Sequence, residues 1–97
     1  MQIKLSDRNL KICGHIYTLK FTNRPLLNQA TVGTMSANSL SIEISTIFPQ
    51  SRQEEAILHE IIEALNFHLD LKLEHSQLSS LSEGLFQVFA DNFKKEC

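Results

Sequence analysis

Long apolar runs are missing from this chain of 97 residues, and none approaches the length that spans a bilayer. Positive charge is not in excess. Lysine and arginine number 9 against 11 acids, a formal net charge of -2, so no basic stripe offers itself to nucleic acid. Cysteine is scarce. Cys13 and Cys97 have no metal-type spacing, and a disulfide scaffold needs more than two, so both read as reduced thiols. No glycine-rich loop is there to cradle a phosphate. Repeats, low-complexity tracts and linkers are absent too, and the length predicts a single domain over residues 1–97. Met1 to Arg8 carry charge and no apolar signal core. Together these features predict a cytoplasmic protein with neither nucleic acid nor membrane as partner.

The first half of the chain reads as strands. Gln2 to Leu5 alternates polar and apolar residues, a short strand or extended lead-in. Leu10 to Cys13 and Ile16 to Thr22 flank Gly14-His15, the pattern of a tight hairpin with Tyr17, Leu19 and Phe21 on one face. His15 is then an exposed residue at the hairpin tip. Thr31 to Met35 is extended, with Gly33 as a bulge. Leu40 to Ser45 alternates cleanly, with Leu40, Ile42 and Ile44 facing a core. The expectation is a small antiparallel sheet of three or four strands.

The second half reads as helices. Ser51-Arg52-Gln53-Glu54 has the form of a capping box. A helix follows from about Arg52 to Leu69, with Leu58, Ile61, Ile62, Leu65 and Leu69 as its apolar stripe. A short link from Asp70 to Glu74 leads to a second, antiparallel helix from about His75 or Ser76 to Phe93. Leu78, Leu81, Leu85, Val88 and Phe89 recur there at helical spacing, as core. Lys94-Lys95 suit its C-terminus by charge. The fold class is α+β: a sheet followed by two packed helices.

The chemistry sits in the first helix, at His59-Glu60-Ile61-Ile62-Glu63. Residues four apart share a helix face, so the imidazole of His59 and the carboxylate of Glu63 point the same way. The pattern matches the zinc-peptidase helix His-Glu-x-x-His except at its last residue. An open zinc site takes three protein ligands, commonly two histidines and one glutamate. Here one helix offers one of each, and His75 at the start of the next helix is the second histidine. Glu74 is its neighbour and rival. His68, nine residues from His59, falls on the opposite side of the helix and reads as surface or edge packing. Glu60 lies further round and faces the cleft mouth. Asn66 and Asp70, polar positions on the same flank, are candidates for orienting the ligand shell.

This ordering of a small sheet, a His-Glu-x-x-(His or Glu) helix and a closing helix resembles the minigluzincins, single-domain zincin-like proteins. It also resembles the short, phage- or prophage-borne relatives of the ImmA/IrrE-type metallopeptidases. Ile57 to Asn66, Leu73-Glu74-His75 and Leu81 through Asn92 are the similar parts. The more usual members carry histidine at the place of Glu63 and glutamate near that of His75, so the ligand order is exchanged. The resemblance implies zinc held by His59, Glu63 and His75, with Glu60 as general base for amide hydrolysis of a peptide or protein substrate. Peptidases of this type also use a tyrosine, histidine or arginine to hold the developing negative charge. Tyr17 is the one tyrosine and lies in a strand, and Phe86 stands where relatives tend to show one. Leu40 to Ser45, read as an edge strand, is the expected partner of an extended peptide. The competing expectation is a phage-derived binding or assembly protein that keeps the fold with a structural metal or none.

Overall fold

The structure is a computed structural model and describes residues 5–93. Of the expected lead-in only Leu5 falls inside that range; Gln2 to Lys4, Lys94, Lys95 and Cys97 lie outside the described residues.

Strands β1 (Arg8–Ile12) and β2 (His15–Thr22) form an antiparallel hairpin. Its turn is Cys13-Gly14, with φ of 50° and 80°. Positive φ at both central residues makes a type I′ turn, whose twist matches that of paired strands. The turn therefore comes one residue earlier than Gly14-His15, and His15 pairs with Ile12 inside the hairpin.

Strands β3 (Gly33–Ser36) and β4 (Ser41–Ser45) complete a sheet of order β1-β2-β4-β3. The sheet is mixed rather than purely antiparallel. β4 runs antiparallel to β3 and parallel to β2. The long connection over residues 23–32 carries the chain past a vacant position, and β4 returns to fill it. Leu40 to Ser45 is thus an interior strand, bonded on both sides; the edges are β1 and β3. The alternation in β4 still holds, because Ile42 and Ile44 are fully buried beside Tyr17 and Leu19.

Helix α1 (Gln50–Leu69) begins after Pro49, and no side chain caps it. The box expected of Ser51 and Glu54 does not form, because the chain is already helical at Gln50. The Gln53 amide instead donates to the Phe48 carbonyl at 2.8 Å. A capping box does open α2 (His75–Asn92), where Glu74 and Gln77 exchange side-chain and backbone bonds.

α1 is sandwiched. It packs on β1, β3 and β4, while α2 packs on α1 alone. Gln53, Ala56, Ile57, Glu60 and Ala64 are buried at spacings of three and four, and Ile62, also buried, lies on the opposite side of the helix. Of the leucine-rich stripe that apolar periodicity points to, Ile62 is buried and Ile61 and Leu65 pack against the core, but it is not the sheet-facing row. Leu69 is 55% exposed, and small or polar residues take the sheet-facing row because they allow close approach. At its end Asp70 turns left-handed, donating its N–H toward the Asn66 and Phe67 carbonyls. Among the described residues no helix is long and apolar enough to cross a membrane.

Candidate metal centre

His59 and Glu63 lie on the flank of α1 between its sheet-facing row and α2. His59 Nε2 and Glu63 Oε2 are 3.5 Å apart, as the shared helix face requires. Glu60 is only 5% exposed. Its side chain lies against Gly33 of β3, where an added Cβ would come within 3.3 Å of Glu60 Cγ. So Glu60 lines the floor of the cleft rather than its mouth, and Gly33 opens β3 as a point of close approach, not a bulge. Ligand-capable atoms of His59, Glu60 and Glu63 all lie within 4.8 Å of one another, a group able to hold a metal ion.

The protons in this group sort by environment. Burial, then the hydrogen bond to Glu63 and that residue's charge, push the Glu60 carboxyl up to about 8. Two crowded carboxylates cannot both ionise cheaply. The hydrogen bond to His59 holds Glu63 below the usual carboxylate range, and the charges of His59 and His75 add to this. The same bond raises His59, outweighing its partial burial. At neutral pH Glu60 is the protonated carboxyl and donates to an ionised Glu63.

His75 is the first residue of α2. Its ring stands edge-on to that of His59, centroids 5.6 Å apart at 66°. Two imidazoles on one tetrahedral zinc, with Zn–N near 2.1 Å, have centroids about 5.2 Å apart. The spacing of the two rings is close to that figure. The Nε2 of His75 lies 3.5 Å from Ser79 Oγ, and its ring stands outside the tight group of three. The rival Glu74 is committed elsewhere: its carboxylate accepts from the α2 backbone as the N-cap.

Neither candidate orienting residue bonds to a ligand. Asn66 clamps the link between the helices, accepting from Leu73 N–H at 3.0 Å and donating to Leu73 C=O at 3.3 Å. Asp70 is the exposed C-cap of α1. The residue that does touch a ligand is Ser82, 1% exposed on α2. Its hydroxyl donates to Ser79 C=O at 2.9 Å and lies 3.4 Å from His59 Nδ1. A hydroxyl has one proton to give. With that proton spent on Ser79, Ser82 accepts from His59 Nδ1–H, and Nε2, the atom facing Glu63, donates to that carboxylate when the ring is protonated and offers a lone pair when it is neutral. The signal in the sequence was a small polar residue within the α2 stripe, four positions after Leu78.

The cleft over these residues has a volume of about 430 Å³ and is lined by His59, Glu60, His75 and Arg52, with residues 30–33 across from them. No family model, no curated protein and no solved structure matches this chain. The remaining histidines gather apart from the centre. His68 Nε2 is 2.6 Å from the hydroxyl of the fully buried Tyr17, and His15 stacks on His68 with centroids 4.6 Å apart. His68 is thus packing at the sheet edge, and Tyr17 is engaged there. His15 is exposed, but on the strand rather than the tip.

Proposed function

We propose that this chain is a zinc-dependent metallopeptidase-like hydrolase of the minigluzincin type, phage- or prophage-borne, acting on a peptide or protein. The observation that supports it most is the group of His59, the buried Glu60 and Glu63, whose ligand-capable atoms lie within 4.8 Å of one another, with the ring of His75 edge-on to that of His59. Two neutral imidazoles and one carboxylate are a donor set suited to zinc in an open site. Zinc, when bound, supplies Lewis-acid polarisation of a carbonyl and of water.

The chain's own residues do the rest. Glu63, already ionised, and His59, turned by Ser82, present their donor atoms to one point. Glu60 is the poorer ligand of the two carboxylates because it holds its proton to about 8. A positive charge beside it favours the carboxylate form. In that form Glu60 accepts a proton from water attacking the amide carbon, and then delivers it to the leaving nitrogen. The cleft floor on Gly33 keeps the carboxylate out of bulk solvent.

Glu60→Gln tests this reading. The amide keeps size and hydrogen bonding but cannot carry the proton. Zinc content should stay at the wild-type level while hydrolysis of peptide substrates falls by about 10²–10⁴-fold. Hydrolysis that survives the change excludes Glu60 as base. Zinc retained with no hydrolysis in either protein favours a binding or assembly protein with a structural metal.

A further inference from the structure

One wall of the cleft carries charge that the hydrolysis does not use. Arg52 and Glu55 line it on the same face of α1 as His59. Arg52 precedes His59 by seven residues, which at 1.5 Å per residue is about 10 Å along the helix axis. Among the described residues the one ion pair is His59–Glu63, and none of those residues gives the Arg52 guanidinium an acidic partner. It stands 5.5 Å from the centre of the Phe48 ring. That contact steadies the side chain without neutralising it. The start of α1 has no side-chain cap either, which adds positive field at the same end of the cleft.

We propose that Arg52 is an anion subsite, taking a carboxylate on a peptide about three residues from the bond to be cut, since an extended chain spans about 3.3–3.6 Å per residue. The inference rests on the peptidase reading above. A guanidinium grips a carboxylate through two parallel bonds, and the source of that carboxylate is either an Asp or Glu side chain or the free C-terminus of a short peptide. Ala30, Val32 and Gly33 across the cleft offer small or apolar surface and leave room for an extended backbone, while Glu55, a turn further along the Arg52 wall, forms no ion pair with Arg52.

The test uses zinc-loaded protein and peptides with Glu, Gln or Lys three residues to either side of a common cleavage point, each as free acid and as amide. Products are quantified by mass spectrometry. Wild type should cut the carboxylate-bearing peptides with kcat/KM about tenfold higher than neutral ones. Arg52→Gln should abolish that ratio, and Arg52→Glu should turn it toward Lys. A preference that vanishes with amidation assigns the free C-terminus; one that follows Glu assigns the side chain. Cutting without a charge preference, or a preference unmoved in Arg52→Glu, overturns the subsite and leaves the hydrolase standing. No cutting by zinc-loaded wild type overturns the hydrolase reading and this inference with it.

Discussion

Gly33 has no side chain at the place on β3 where Glu60 lies against the strand. A Cβ there would stand 2.9 Å from Ile44 Cδ1 and 3.3 Å from Glu60 Cγ. The buried position of Glu60, and so its hold on a proton, depends on that missing methyl. Gly33→Ala should destabilise the fold by about 1–3 kcal/mol, the usual cost of overpacking. Urea unfolding measures it. Ile44→Val in the same background removes the closer contact and should recover part of the loss; no recovery would mean the strain lies elsewhere.

Stability of the metal-free protein should fall as pH rises past neutrality. Glu60 titrates at about 8 in the fold against an ordinary 4.5, so the folded state binds more protons. Its contribution is complete below 4.5 and lost as pH climbs through 8. His59, also raised, contributes below its ordinary 6.5 and loses this as pH climbs through its folded value. Glu63, lowered, contributes above 4.5 and loses this as pH falls through its folded value. Maximum stability should therefore lie near 4.5, with the loss from Glu60 beginning there and that from His59 joining it above 6.5. Thermal melts across pH 5 to about 9 check the decline, which Glu60→Gln should flatten.

Ser82→Ala should loosen His59. The ring loses the acceptor that holds its Nδ1 proton, and zinc affinity should drop by about 10- to 100-fold, the usual effect of removing such a partner. Ser82→Thr keeps the hydroxyl and should restore most of the affinity. Nitrogen NMR shifts of His59 in the metal-free protein should show the Nδ1–H tautomer in wild type at alkaline pH and a mixture in Ser82→Ala. An unchanged tautomer would remove Ser82 from this role.

Tyr17→Phe should cost about 1 kcal/mol, the net worth of one hydrogen bond, through the loss of His68 as partner. Zinc affinity should not move, because that pair lies apart from His59, Glu63 and His75. A change in zinc affinity would mean that the two histidine groups are coupled.

The sequence made the pairing of His59 with Glu63 legible, because helical periodicity alone puts them on one face. The strand alternation at Ile42 and Ile44 was legible for the same kind of reason. The parallel pairing of β4 with β2 was not, since a strand's pattern reports which face is buried and not which neighbour bonds to it. The depth of Glu60 was missed because reading apolar residues alone overlooks a sheet-facing row of Gln53, Ala56 and Glu60. That row is set by Gly33 across the gap. Ser82 was hidden by its small size, and Asn66 by a role that runs through the backbone of Leu73.

Under the proposed function His75, and not Glu60, joins His59 and Glu63 on the ion. Elemental analysis of bound zinc in purified wild type, His75→Ala and Glu60→Gln tests it most directly. A single zinc per chain in wild type and Glu60→Gln, with most of it lost in His75→Ala, is the expected result. Zinc retained in His75→Ala and lost in Glu60→Gln would give the third ligand position to Glu60 and exclude His75 from the site.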